Sequence, residues 1–426
     1  MKKYNGRRKN NRFTFVLIGI IFLVFIFLGM FFYNKYGDNL SVKNEENIVK
    51  EISSHYSENV TTTRDSLIYT LEEGKYVESG MVYKDAILGL DSININKDTE
   101  YFLINSLDDK YYIKYDDVTP SDKKDEINDR YKNYIPFNES VVGKNVNLYK
   151  NDNLVLTLNK DVSLPIYIKD NDMYYVEYAG DLYGVKKDSV VTTANSNTDK
   201  KNISKIGVLN YHFFWDDETE KNSDCNQEIC HSKTQFKKHL DYIKDNNILT
   251  LKMDELEKWI DGKLQLPKSV VITIDDGWRI DLGIQMLEEY KLNGTVFLIS
   301  SWFDDVSFIN DYNYVEFHSH GEKLHTVGVC PGGQGGGIKC LPEDKLLDDL
   351  KTSRKKLNNT TFFCYPFYEF NDYSISVLKK AGFTMAFAGE SSYKDNHVTI
   401  GSDKYRLPRF VVVTYTTMKD FTDFVG

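Results

Sequence analysis

The chain places two carboxylates side by side in Thr273-Ile274-Asp275-Asp276-Gly277-Trp278, directly after the apolar run Val270-Val271-Ile272. About forty residues on, Tyr314–His325 holds His318, His320 and His325, three of the eight histidines of the chain within eight residues. An Asp with two His is a three-ligand set suited to a catalytic zinc, with a fourth position left to water. The second Asp of the pair is then free to act as a base. This combination predicts metal-assisted hydrolysis.

Consecutive strand side chains point in opposite directions, so Asp275 and Asp276 serve one pocket only if the backbone distorts before Gly277. A division of labour follows, with one carboxylate on the metal and the other beside the water. His320 and His325 are expected to be ligands, and His318, taken to alternate with His320 along the strand, is expected to face away and play a supporting part. His212 ends the run Val208-Leu209-Asn210-Tyr211 and is a candidate proton donor to a leaving amine. Arg409, in Arg406-Leu407-Pro408-Arg409-Phe410, is a candidate bidentate partner for a carboxylate.

These residues sit at the ends of apolar runs that alternate with helical periodicity from Ile206 onward. Strands are expected at 206–209, 249–251, 270–274, 296–299, 315–317, 361–364, 383–387 and 410–413. Helices are expected around Phe236–Ile243, Met253–Ile260 and Leu282–Tyr290, with Gly294 as the cap of the last. Two more are expected around Leu346–Leu350 and from Asn371 or Asp372 to Gly382. Such alternation predicts an α/β domain with a parallel sheet, open or barrel-shaped. Active sites in both lie at the C-terminal strand ends, where both Asp, the His and Pro366 all fall.

The rest of the 426 residues suggests a tether. Residues 1–12 carry six Lys or Arg and no acid, and residues 13–33 carry no charge over 21 residues. That is long enough for a membrane-spanning helix, and the basic flank orients it with the N-terminus inside the cell. Residues 34–60 read as a polar stalk. Residues 61–125 and 135–192 read as two β modules joined by a linker near Pro120–Tyr134, and their closing runs, 108–118 and 169–189, repeat weakly and resemble small SH3-like barrels. Residues 193–205 read as a linker, and 206–426 as the catalytic domain. The net charge is -10, which becomes -16 beyond residue 33. That argues against a nucleic-acid partner and favours a neutral polymer over a polyanion. With residues 34–426 placed outside the cell, Cys225–Cys230 and Cys330–Cys340 are expected to be disulfides, and Cys364 a buried thiol.

The motifs together resemble the polysaccharide deacetylases, the NodB-homology family of carbohydrate esterases. TIDDGW (273–278) is similar to the family's Asp-Asp motif. SHGEKLH (319–325) is similar to its histidine motif, in the spacing of the branch that acts on poly-N-acetylglucosamine. FFCYPFYEFND (362–372) resembles the third motif, and VLNYHFF (208–214) and LPRF (407–410) the start and end of that branch. The resemblance implies a distorted (β/α) barrel of fewer than eight units holding one divalent metal, usually zinc. It implies Asp276, His320 and His325 as ligands, Asp275 as general base and His212 as general acid. A backbone N–H near Phe367 would help hold the oxyanion, and Trp278, Pro366 and Phe367 would line the substrate cleft. The implied reaction is hydrolysis of N-acetyl groups on peptidoglycan or poly-N-acetylglucosamine. The third motif lacks its usual Arg, so Arg409 is expected to orient Asp275. Two other readings are open: an O-acetyl esterase on the same scaffold, and a non-catalytic wall-binding protein.

Overall fold

A computed structural model describes residues 59–92, 101–104, 111–121, 129–178, 181–188, 191–192, 201–221, 225–389 and 397–426. The expected anchor at 13–33 lies outside the described residues. Among the described residues, no helix is long and apolar enough to cross a membrane.

The described residues gather into two compact units. The strand pairs described in the first are antiparallel. Ser66–Glu72 turns into Lys75–Val82 through Glu73 and Gly74, both at positive φ (47° and 77°). Val146–Lys150 turns into Asn153–Leu158 through Asn151 and Asp152 (47° and 63°). Paired positive φ values suit the right-handed twist of a tight hairpin. Leu156–Leu158 of the second hairpin pairs with Gly80–Val82 of the first, burying Leu156, Leu158 and Val82 completely.

That pairing corrects the expected boundaries. Residues 135–192 do not stand as one module, because Lys144–Asp161 joins the first unit while Asn128–Gly143 and Val162–Glu177 join the catalytic one. The stretch read as a linker up to Tyr134 is core: Tyr131 and Tyr134 pack with Tyr167, Trp259 and Leu264. Arg130 grips Glu255 with Nε and Nη2 at 2.6 and 2.7 Å, and the Tyr134 hydroxyl donates to the same carboxylate at 2.6 Å.

In the second unit Ser140–Gly143, Val162–Lys169 and Met173–Tyr178 pair antiparallel, and from Gly207 onward it is built on parallel strands. They are β1 (Gly207–Tyr211), β2 (Phe213–Trp215), β3 (Cys230–Ser232), β4 (Leu249–Thr250), β5 (Ser269–Asp276), β6 (Gly294–Leu298), β7 (Val315–Ser319), β8 (Phe362–Cys364), β9 (Met385–Phe387) and β10 (Phe410–Val411). Helices α1 (Lys233–Asp245), α2 (Met253–Ile260), α3 (Asp281–Tyr290), α4 (Glu343–Lys356), α5 (Asp372–Ala381) and α6 (Met418–Val425) run between and after them. The sheet order is β9-β8-β7-β6-β5-β1-β10, with β4 beside β5. All eight residues of β5 are buried, as its uninterrupted apolar run requires of a strand covered on both faces. One short segment touches both edges of this sheet. Leu407 bridges Phe387 of β9, while Phe410 and Val411 pair with Leu209 and Asn210 of β1. The curled parallel sheet fits the expected barrel type.

Helix ends follow local chemistry. The Asn371 side chain accepts from Ser374 N to cap α5, and Gly382 ends it at φ 88°. Gly294 is not the cap of α3. Lys291 takes the left-handed position (φ 56°), and Gly294 opens β6, where a Cβ would meet Leu287 at 2.5 Å. The expected strand at 206–209 runs on to Tyr211, and 383–387 narrows to Met385–Phe387.

Candidate active site

Asp275 and Asp276 end β5, and the distortion that separates them lies in Asp276 itself. Its φ is 77°, and Gly277 follows at 129°. Gly277 has no room for a side chain, since a Cβ would meet the Phe303 ring at 2.8 Å. The turn lets both carboxylates enter one buried pocket, 1% and 6% exposed.

Asp275 is locked. Arg409 Nη1 donates to its Oδ1 at 2.8 Å and Nη2 to its Oδ2 at 2.7 Å, with the guanidinium fully buried. Nη1 also reaches Thr273 Oγ1 at 3.1 Å, and Nη2 reaches Cys364 Sγ at 2.8 Å. Burial pushes the Asp275 carboxyl up, but the charge and hydrogen bonds of Arg409 overcome it and hold the group well below the usual carboxylate range. The expected role of Arg409 as the clamp on Asp275 thus has its geometry.

Asp276 faces the histidines instead. Its Oδ1 lies 3.4 Å from His320 Nε2 and 3.3 Å from His325 Nε2. One donor atom from each of the three residues falls within 4.8 Å of the other two. His320 Nδ1 donates to the Cys364 carbonyl at 2.8 Å, so in the neutral imidazole that a metal ligand requires, Nε2 carries the lone pair and points at the cluster. Asp276 Oδ1 is buried without a hydrogen-bond partner. A buried acceptor of that kind, facing imidazole nitrogens, fits a divalent cation. Asp275, His320 and Cys364 also cluster. There the Arg409 guanidinium already occupies both Asp275 oxygens and the sulfur, which disfavours a second cation.

His320 follows β7, and Gly321 turns the chain at φ 86°. Asp349 of α4 then accepts from Glu322 N and Lys323 N, both at 2.8 Å, and so fixes the loop that carries His325. His318 does not join the ligands, and its Nδ1 bonds Thr360 Oγ1 at 2.6 Å. The reason differs from the expected one. Residues two apart share a face of a regular strand, so it is the end of β7 at Ser319, not alternation, that parts His318 from His320.

His212 lies against the same carboxylates. Burial lowers its pKa, partly opposed by Asp275 and Asp276. The Tyr368 hydroxyl donates to Asn210 Oδ1 at 2.8 Å, so at 3.3 Å from it His212 Nε2 is the donor. That tautomer leaves Nδ1, buried and without a partner, as an acceptor. Trp278 is 43% exposed and packs edge-on against Phe213 at 4.8 Å. Pro366 is buried at the start of a short turn, and the Phe367 ring lies 4.1 Å from the His325 ring.

Three residues here escape sequence reasoning. Tyr368 gave no signal beyond its place in an aromatic-rich motif. Cys364 was legible as a buried thiol but not as a partner of Arg409. Trp302, half-exposed with its ring 6.1 Å from that of His325, stands after a strand with nothing to mark it. Both expected disulfides form, Cys225–Cys230 and Cys330–Cys340.

Among solved structures, the chain is similar to a de-N-acetylase from Aggregatibacter actinomycetemcomitans, with 23% identity and a TM-score of 0.44 over 52% of this chain and 99% of that one. It is also similar to IcaB from Ammonifex degensii (17%, TM-score 0.41, 53% and 97%). A third is BC0361, a polysaccharide deacetylase from Bacillus cereus (18%, TM-score 0.42, 72% and 94%). No curated protein matches the chain. Residues 263–386, which run from before the Asp pair to β9, match the family model for polysaccharide deacetylase. On that match the chain carries a catalytic domain of the polysaccharide deacetylase family and is a hydrolase of that class.

Proposed function

We propose that this deacetylase removes N-acetyl groups from an N-acetylglucosamine polymer, peptidoglycan or poly-N-acetylglucosamine, outside the cell and with zinc as its metal. The observation that carries the reading is the paired use of β5: Asp275 held ionised by Arg409, and Asp276 turned to His320 and His325. Asp276, His320 and His325 would hold the ion, which when bound polarises a carbonyl oxygen and acidifies water.

The chain's own groups supply the proton traffic. Asp275 is charged and oriented, so it accepts the proton of the attacking water without first losing one of its own. His212 is neutral at rest because burial disfavours its charge. A proton taken from solvent at Nδ1 makes it a stronger acid than free imidazole, and it gives that proton to the departing amine, while the water proton held by Asp275 returns to solvent as acetate leaves. Acetate and a free amine are the products. Phe367 walls the cleft beside His325, its backbone N–H is the candidate oxyanion donor, and Trp278 offers an exposed indole face to a sugar ring. The SH3-like reading of the segment before residue 192, as a polymer-binding arm, belongs to this proposal. So does anchoring through residues 13–33.

The test is acetate release by the purified full-length protein from both polymers and from an O-acetylated polysaccharide, after chelation and after zinc add-back. Zinc-restored release from N-acetylated polymer is expected. Release only from O-acetylated polymer would move the assignment to an esterase, and no release from any of them would sink the catalytic reading.

A further inference from the structure

The turn Pro366–Tyr368 holds two consecutive non-glycine residues in the left-handed region, Phe367 at φ 57° and Tyr368 at 61°. Such backbone is strained for a residue with a Cβ and persists only where its surroundings over-determine it. Both rings face the site. Phe367 lies on the imidazole of His325, and the Tyr368 hydroxyl takes Asn210 and His212.

The residue that follows supplies the constraint. Glu369 Oε1 accepts from Gln334 N at 2.6 Å, and Oε2 from Gly336 N at 2.9 Å and Lys339 Nζ at 3.0 Å. All three donors belong to the glycine-rich loop closed by Cys330–Cys340. The loop is shaped to this carboxylate. Gly333 sits at φ 61°, and a Cβ there would lie 1.8 Å from Glu369 Oε1. A Cβ on Gly336 would lie 3.0 Å from the Phe367 ring. Lys339 Nζ also bonds Gly332 O at 3.0 Å, and Asn371 Nδ2 bonds Lys339 O at 3.1 Å, so the loop is anchored at the start of α5 as well.

We propose that Glu369 is a positioning residue for deacetylation. Through the Cys330–Cys340 loop it holds Phe367 against His325 and Tyr368 against His212, and so sets kcat without touching substrate or metal. This rests on the function proposed above.

The test uses the full-length protein with Glu369→Gln, which presents an amide NH2 to donors, and Gly333→Ala, which disturbs the same contact from the loop side. Each should lower kcat about 10- to 100-fold, as small misplacements of catalytic groups do. KM and zinc content should stay near wild type. The double variant should be no worse than the worse single, because both break one contact. A second readout needs no activity. In metal-free protein with labelled histidine, the His325 ring resonance, assigned through His325→Gln, feels the Phe367 ring and should move in both variants. An unmoved resonance, or kcat within about twofold of wild type, overturns the proposal. So does a kcat loss that tracks loss of zinc or of melting temperature. An inactive wild type would instead sink the assigned reaction, while the resonance would still decide the latch.

Discussion

Replacing Arg409 by Met keeps most of the side-chain volume and removes the charge. The pair it breaks is fully buried, with both Asp275 oxygens engaged at 2.7–2.8 Å. Deleting one partner of such a pair costs about 3–5 kcal/mol, because the other is left as an uncompensated buried charge. In a unit of this size that is about 10 °C of melting temperature. The sign of its pH dependence follows. In the native protein the folded-state pKa of Asp275 is lowered, so its contribution is present above the usual carboxylate range and is lost as pH falls through the folded value. Without the guanidinium, burial raises that pKa. The variant then loses stability as pH rises through the raised value, and its melting temperature should fall increasingly below wild type from pH 5 to pH 8. Differential scanning fluorimetry on metal-free protein measures this. The double variant Arg409→Met/Asp275→Asn removes the stranded charge and should recover at least half of the lost stability, while acetate release stays at least about 100-fold down in both. A gap that does not grow with pH, or a double variant no more stable than the single, would refute the reasoning.

Other expectations can be checked with the same protein. Asp276→Ala, His320→Ala and His325→Ala should each lose bound zinc, measured by elemental analysis, together with activity. Tyr368→Phe removes the hydroxyl that Asn210 and His212 share. It should cost about 1 kcal/mol of stability and lower kcat more than it raises KM, read from melting and steady-state kinetics. His231 and His239 are buried and kept neutral mainly by desolvation, with pKa values of about 3 and about 4. Their unfolded forms bind protons first, so stability should be full above about pH 6.5 and fall as pH drops towards 4. His231→Gln should flatten that acid limb in a melting series.

What the sequence reveals here is mostly what side-chain type and near spacing decide. Asp275, Asp276, His320 and His325 are legible because few other chemistries use that set, and α2 appears as expected because its buried residues recur at helical spacing. Tyr131 and Tyr134 look like linker because their partners Trp259 and Leu264 lie more than a hundred residues away. Gly294 looks like a cap because glycine favours positive φ, whereas here it is the Leu287 side chain that excludes a Cβ. Glu369 gives no signal at all, since its meaning depends on backbone N–H groups of a loop that composition marks only as glycine-rich.

The segment that bridges β9 and β1 is also the one that carries Arg409. Its contact with Asp275 spans 134 residues of chain, and β10 is added after every other strand has been synthesised. The clamp on Asp275 therefore depends on residues 407–411, the last stretch of sheet described, and a chain lacking them would keep its carboxylates and histidines but not the guanidinium that orients the base.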